Sequence, residues 1–285
     1  MLSNSQGAGL QSKRMRRRRF RALRRAFKAL WAAPLAIRAG FGLLAVVALS
    51  FAVNWAYQVI RKPAELFFPV SGALSKAPAE TWRQYAPIFR EHATALITPD
   101  FLAALAQVEG AGNPVARTYW RWRLAAEPFN VYRPASSAVG MYQITDATFS
   151  EAKRYCIRGH AAVEECWFNS LYLRVVPSHA VEMTSAFLDR RVAEALKRQR
   201  IAIATLQQVQ DLAAVIHLCG AAAGNAYARR NFRLTAGQRC GEHDLRGYLA
   251  QLNAMKLVFS RLADAGSPRS KFDTRGAPPP LPRQG

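Results

Sequence analysis

The sequence predicts a mainly α-helical protein. Several segments after residue 80 place apolar residues at helical spacing, and no segment alternates apolar and polar residues between turn signals in the way that a large sheet requires. A charge-free apolar stretch near the N-terminus predicts one further helix, of the kind that crosses a membrane. The chain has 285 residues, of which 51% are hydrophobic, and this is enough for one good-sized core with appendages.

Residues 1–38 form a strongly basic segment. They hold eleven lysines and arginines, including the run Arg16–Arg19, and no acidic residue occurs before Glu65. Such a run can bind nucleic acid or form a solvated tail. Because an apolar stretch follows directly, we interpret it as the cytoplasmic flank of a membrane segment that contacts anionic headgroups. We expect no nucleic-acid partner.

Residues 39–60 are predicted to form a single transmembrane helix. The stretch Ala39–Ile60 carries no charge over 22 residues, which at about 1.5 Å per residue crosses a hydrocarbon layer of ~30 Å. Trp55 and Tyr57 lie near its far end, where interfacial aromatic rings are common. The prediction is a single-pass protein of the bacterial inner membrane, with a cytoplasmic N-terminus and the remainder in the periplasm. A signal peptide cleaved near Ser50 is the alternative, and it exports the same residues.

All four cysteines follow this apolar stretch, which agrees with an oxidising compartment. The simplest pairing joins neighbours in sequence, Cys156 with Cys166 and Cys219 with Cys240. Zinc is the alternative, since histidines lie near the cysteines: His160, His217 and His243. No Cys-x-x-Cys motif occurs, so we favour disulfide bonds and expect no metal.

The exported part is predicted to contain three regions. Residues 61–97 form a linker and a packing helix, residues 98–264 a helical domain, and residues 265–285 a proline-rich disordered tail. The predicted helices are Glu80–Leu96, Thr145–Tyr155, His179–Arg198, Leu206–Leu218, Ala222–Arg229 and His243–Ala263.

The best-marked helix of the domain ends on a glutamate. Thr98 suits the N-cap and Pro99 the first helical position, and the helix runs to Glu109 before the glycines of 110–112 stop it. A carboxylate at the C-terminal end of a helix is disfavoured by the dipole, and apolar surroundings disfavour it further. These conditions suit a general acid, so Glu109 is the candidate catalytic residue.

A second motif follows about thirty residues later, Ser137-Ala138-Val139-Gly140-Met141-Tyr142-Gln143-Ile144-Thr145. A glutamate that closes an apolar helix, followed by Gly-Ala-x-Gly-Leu-Met-Gln-(Ile/Leu), resembles the Slt-type lytic transglycosylases of the lysozyme-like superfamily. Met141-Tyr142 stands where Leu-Met is usual, and Gly110 replaces the usual serine after the glutamate. The third family motif, Ala-Tyr-Asn-Ala-Gly-x-Gly, has only a degenerate counterpart in residues 216–225.

The resemblance implies a lysozyme-like fold for residues 98–264 and a single catalytic carboxyl group. Glu109 would protonate the bond between N-acetylmuramic acid and N-acetylglucosamine in peptidoglycan. It would then accept the C6 hydroxyl proton, so that a 1,6-anhydro ring closes without water, cofactor or metal. Gly140, Met141, Tyr142 and Gln143 are the candidate glycan-binding residues of this motif, with Gln143 as a hydrogen-bonding residue and Tyr142 in the cleft wall. For the side chains of Met141 and Ile144 we favour packing in the core.

Residues 117–134 look inserted between the two motifs. Trp120 and Trp122 alternate with arginines there, and they either stack on sugar rings or anchor the extra loop. Of the other candidates, we interpret Asp146, Glu127 and His217 as structural.

The predicted function is therefore that of a membrane-anchored periplasmic lytic transglycosylase acting on glycan strands. A lysozyme-type hydrolase and a non-catalytic peptidoglycan-binding scaffold of an envelope complex are the alternatives. Other envelope proteins are candidate partners in each case.

Overall fold

The computed structural model describes residue 25 and residues 31–67, 71–124, 126–164 and 166–266. The arginine run Arg16–Arg19 and the proline-rich tail beyond Gly266 lie outside the described residues. The chain divides into two compact units, residues 1–61 and 62–285.

In its described residues the first unit contains one long helix, α1, which spans Leu35–Arg61. It starts four residues before the predicted Ala39, so it includes Arg38 and ends on Arg61. Its most apolar 18 residues have a mean hydropathy of 2.1, and none of them is buried. Helix α1 is the one helix in the described part of the chain that is long and apolar enough to cross a membrane.

The second unit is built from helices and three short hairpins. The helices are α2 Pro78–Glu91, α3 Pro99–Gly110, α4 Asp146–Ala152, α5 Pro177–Arg198, α6 Leu206–Arg229 and α7 Leu245–Ala265. The antiparallel strand pairs are β1 Trp120–Trp122 with β2 Tyr132–Pro134, β3 Cys156–Arg158 with β4 Ala161–Val163, and β5 Arg239–Cys240 with β6 His243–Asp244. The prediction of a mainly helical domain is confirmed, and within the described residues each sheet has only two strands.

Helix α3 lies at the centre of the core, and residues 101–106 are completely buried. Three of these six residues are alanine, which allows neighbouring helices to approach α3 closely. Helices α2 and α7 pack on it, and the Trp82 ring of α2 lies 5.9 Å from the Phe259 ring of α7. Burial of large apolar side chains on all sides of α3 holds its C-terminal end in place.

Helix α6 joins two segments that the sequence predicted as separate helices. A capping box at Thr205 and Gln208 starts it, and Gly220 interrupts it with φ 82° and ψ 169°. Glycine adopts this conformation without strain, and no atom would touch a Cβ there, so its role is conformational. The resulting kink interrupts the helix three residues after His217.

Two disulfide bonds join the predicted cysteine pairs. Cys156 and Cys166 have Cα atoms 5.9 Å apart, and Cys219 and Cys240 have Cα atoms 5.4 Å apart. The second bond ties α6, beside its kink, to the β5–β6 hairpin. With both pairs bonded, none of the four cysteines is left as a thiolate ligand for zinc.

Candidate active site

Glu109 occupies the last turn of α3, and its position follows from how that helix ends. Ala111 caps the helix in a left-handed conformation with φ 49°, and its N–H bonds back to carbonyl groups of the last turn. At the other end Thr98 takes the predicted N-cap position, although its side chain accepts a hydrogen bond from Gln210 rather than from the helix backbone. The Glu109 side chain is 14% exposed and lines a cleft of about 480 Å³.

The cleft is walled by five segments of the second unit. They are the end of α3, residues 117–119 of the insertion, residues 136–145, the region of α6 just before its kink, and β6 with the first turns of α7. Among the described residues that line it, Glu109 is the only aspartate or glutamate. The cleft therefore offers one carboxyl group for acid–base chemistry.

Two side chains approach the same oxygen of Glu109. The Tyr248 hydroxyl donates a hydrogen bond of 2.5 Å to Oε1, and His217 Nε2 lies 3.7 Å from that oxygen. Burial, together with the neighbouring carboxylate and this hydrogen bond, raises the pKa of Tyr248 well above its usual value. Tyr248 therefore remains a hydrogen-bond donor at neutral pH.

The sequence interpretation missed Tyr248 and did not favour His217 as a site residue. Tyr248 lies one turn into α7, where Asp244 caps the helix by accepting from the Gly247 N–H. Its apolar neighbours make it look like an ordinary core residue, and no motif marks it. The position of His217 at the degenerate third motif was the one available signal for this wall of the cleft.

The second motif forms a tight turn that carries Gln143 to the cleft. Gly140 has φ +81°, and a Cβ there would lie 2.4 Å from the Arg174 carbonyl oxygen, so only glycine fits. The backbone that lies closest to Gly140 is therefore that of Arg174. Gln143 lines the cleft, and its Nε2 donates to the carbonyl oxygens of Gly140 at 2.9 Å and Ala116 at 3.2 Å.

Met141 and Tyr142 do not line the cleft, contrary to the predicted substrate-binding role. Both side chains are completely buried, and the Tyr142 hydroxyl donates to the Leu102 carbonyl oxygen at 3.2 Å. The turn at Gly140 directs these two side chains into the core beside α3. These two side chains pack in the core beneath the motif, which corrects their assignment as substrate-binding side chains.

The insertion reaches the cleft through residues other than the predicted tryptophans. Arg117 and Tyr119 line the cleft, whereas Trp120 and Trp122 do not. Trp120 donates through Nε1 to the buried Glu65 at 2.9 Å, which favours the anchoring interpretation for this residue. Trp122 is 65% exposed, and its ring lies 4.5 Å from that of Tyr132.

The two other acids considered from the sequence lie elsewhere. Asp146 begins α4 and pairs with Arg174 at 2.7 Å, while Glu127 is exposed and accepts from Asn130 at 3.4 Å. Neither lines the cleft.

A helical domain whose cleft has one carboxyl group among its described lining residues agrees with the lysozyme-like fold that the sequence motifs imply. Residues 86–206 match the family model of the transglycosylase SLT domain, so the chain contains a domain of this family. The search of curated proteins finds no match. The family implies transglycosylase-type activity on the glycan strands of peptidoglycan.

The family match covers only part of the cleft. It includes Glu109, Gln143 and the insertion, but it ends at residue 206, before His217, His243 and Tyr248. The wall that contacts Glu109 Oε1 therefore comes from residues beyond the matched region.

Proposed function

We propose that this protein is a membrane-anchored periplasmic lytic transglycosylase that cleaves the bond between N-acetylmuramic acid and N-acetylglucosamine with a 1,6-anhydro product. The observation that carries the proposal is the single carboxyl group of Glu109 in the cleft, hydrogen-bonded to Tyr248 and accompanied by Gln143. A glycosidase that uses two carboxylates needs a second one in the cleft, and the described lining residues offer none.

The two oxygens of Glu109 have different roles in this proposal. Tyr248 and His217 both approach Oε1, so we assign Oε2 as the oxygen that carries the proton. Oε2 gives this proton to the glycosidic oxygen as the bond to C1 of the muramyl residue breaks. The resulting carboxylate then accepts the proton of the C6 hydroxyl as that oxygen bonds to C1, which closes the anhydro ring and restores the acid.

Gln143 provides the best-placed polar group for the sugar. Its two hydrogen bonds to backbone carbonyls both use Nε2, and they fix the plane of the amide. Oε1 then accepts from a sugar hydroxyl or an acetamido N–H. Trp122, exposed at the end of the β1 strand, is a candidate for stacking on a sugar ring further along the strand.

Glu109→Gln tests the assignment of the acid. Glutamine keeps the size of the side chain and its contact with Tyr248 but carries no transferable acid proton, so cleavage of purified peptidoglycan by the full chain in detergent should fall at least ~10²-fold. Glu127→Gln, an exposed change in the insertion, is the matched control and should digest at the parent rate. A Glu109→Gln rate within tenfold of the parent would show that another group is the acid.

The products of the parent chain decide the reaction type. Mass spectrometry should find muropeptides that end in 1,6-anhydro-N-acetylmuramic acid, which are lighter by one water than hydrolysis products. Reducing ends would instead identify a lysozyme-type hydrolase. Binding without any product would identify the scaffold alternative.

The membrane anchor is the second part of the proposal. Helix α1 and the basic residues before it support a cytoplasmic N-terminus and an exported second unit. A phosphatase that is active only after export should work when joined after Ala73 and stay inactive when joined after Lys28. The reverse pattern would separate Glu109 from peptidoglycan and contradict the proposal. Mature protein that begins near Ser50 would identify a cleaved signal peptide.

A further inference from the structure

Residues 62–67 and 71–76 belong to the segment that the sequence predicted as a linker, and they pack against the residues that follow the catalytic helix. The Lys76 N–H donates to the Ala111 carbonyl oxygen at 2.8 Å, and Ser71 Oγ donates to the Val115 carbonyl oxygen at 3.1 Å. Asn113 donates through Nδ2 to the Ser71 carbonyl oxygen at 2.5 Å. These contacts make the segment part of the second unit, directly behind one wall of the cleft.

Glu65 is the centre of this packing. Its carboxylate is completely buried, and Oε2 accepts from Arg117 and from Trp120 Nε1, both at 2.9 Å. Its other oxygen, Oε1, lies 3.3 Å from Lys62 Nζ. A buried carboxylate with two cationic partners and an indole donor holds three groups in one arrangement.

Lys62 extends this cluster to the cleft wall. Its Nζ donates to the Ser136 carbonyl oxygen at 3.2 Å and to Thr118 Oγ1 at 3.4 Å, and Thr118 Oγ1 in turn donates to Ser136 O at 3.2 Å. Arg117, Thr118 and Ser136 all line the cleft with Glu109. The cluster therefore joins the start of the insertion to Ser136, two residues after its end, and both places form part of the cleft wall.

We propose that Lys62 and Glu65 are positioning residues for substrate, because they hold the Arg117–Thr118 and Ser136 wall of the cleft at the distance from Glu109 that a glycan strand requires. The segment directly after the membrane helix is thus a functional part of the binding cleft. This inference rests on the proposed function for the identity of the ligand, a strand of N-acetylated amino sugars.

Lys62→Met is the main test, because methionine keeps a long apolar side chain while it removes the hydrogen bonds to Thr118 and Ser136 and the ion pair with Glu65. Glu65 keeps its bonds to Arg117 and Trp120 in this variant. With the full chain in detergent, below its unfolding temperature, KM for solubilised glycan strands should rise at least fivefold while kcat changes less than KM. Lys62→Arg, which retains the charge and several donors, should restore KM to within twofold of the parent.

Glu65→Gln tests the centre of the cluster and should raise KM by more than Lys62→Met does, since it removes the counter-charge of both cations. Glu80→Gln is the matched control: Glu80 forms an exposed ion pair with Arg83 on α2, away from the cleft, so its loss should leave KM unchanged. A folded Lys62→Met chain with KM within twofold of the parent would overturn the inference, whether or not Glu65→Gln folds.

A binding measurement separates this inference from the proposed function. In the Glu109→Gln chain, the dissociation constant for a chitin oligosaccharide should rise at least fivefold when Lys62→Met is added. If the parent chain does not cleave peptidoglycan but this shift is found, the lytic function fails and the positioning role stands. If the parent cleaves and Lys62→Met changes neither KM nor binding, the positioning role fails alone. Absence of both cleavage and binding in the parent overturns both.

Discussion

Gly110 provides a sharp test of how the two motifs fit together, because restoring the serine that is usual after the catalytic glutamate should damage this protein. A Cβ built on Gly110 would lie 2.8 Å from Met141 Cα and 2.9 Å from the Met141 carbonyl oxygen. Both contacts are with backbone, which cannot rotate away. Ordinary contact begins near 3.4 Å, so α3 and the Gly140–Gln143 turn must separate by about 0.6 Å.

The cost of Gly110→Ser combines two opposing effects. Forcing an extra group into a packed backbone contact costs roughly 1–3 kcal/mol, whereas replacing a helical glycine recovers about 0.5 kcal/mol of helix propensity. The net loss of unfolding free energy is therefore about 0.5–2.5 kcal/mol. For a domain of this size each kcal/mol lowers Tm by roughly 2–4 °C.

The effect on activity should be larger than the effect on stability suggests. Glu109 directly precedes the altered residue, and Gln143 lies two positions after Met141. Moving α3 away from the Gly140–Gln143 turn therefore changes the distance between Glu109, the proposed acid, and Gln143, the proposed substrate contact. A misplacement of about 1 Å can cost ~10²-fold in rate, and 0.6 Å should therefore cost roughly tenfold or more.

Thermal unfolding and peptidoglycan digestion by the full chain measure the two effects. Gly110→Ala carries the same Cβ and should show the same loss of activity. Gly72→Ser is the matched control, since no atom lies within 4 Å of a Cβ at Gly72. If Gly110→Ser is as stable and as active as the parent, the two motifs do not pack as described.

Two further predictions concern Tyr248 and the second disulfide bond. The pKa of Tyr248 is raised in the folded chain, so above about pH 10 the unfolded chain holds fewer protons and stability falls as pH rises. Tyr248→Phe should remove about 1.4 kcal/mol of that fall in total between about pH 9 and 11, as measured by urea unfolding, and an unchanged pH dependence would contradict the burial of this tyrosine; the exposed Tyr119→Phe is the control. The double variant Cys219→Ala, Cys240→Ala should have a free energy of unfolding about 3 kcal/mol lower than the parent, because the disulfide bond closes a loop of 21 residues. Recovery of free thiols from the parent would refute the pairing.

The cysteine pairing was predictable because it depends on short separations in sequence. The bonds join residues 10 and 21 positions apart, and a cross-paired arrangement would have needed larger excursions of the chain. The zinc alternative could not be dismissed from spacing alone. The structure favours the disulfide interpretation, because the two bonds use all four cysteines.

The buried position of Tyr142 was not predictable from the motif, whereas core packing was already the favoured interpretation for the Met141 side chain. Alternate residues of a turn face the core or the ligand according to its dihedral angles, and here Gly140 and Gln143 both have positive φ, at 81° and 47°. A motif records which residue types occur in order, but it does not record these angles. The prediction for Gln143 depended less on these dihedral angles, because a polar side chain in an apolar segment already favours an exposed or hydrogen-bonded position.

The sequence by itself determined the helical class, the apolar N-terminal helix, the position of Glu109 at a helix end and the transglycosylase SLT resemblance. Each depends on local signals, namely periodicity, capping residues, charge distribution and short motifs. Only the tertiary structure decided which groups surround Glu109. Tyr248 is 139 residues from Glu109, and Glu65 lies 52 residues before Arg117. Such pairs meet because the burial of α3 brings distant segments together, and the free energy of that burial is spread over the whole core rather than recorded in any one stretch of the chain.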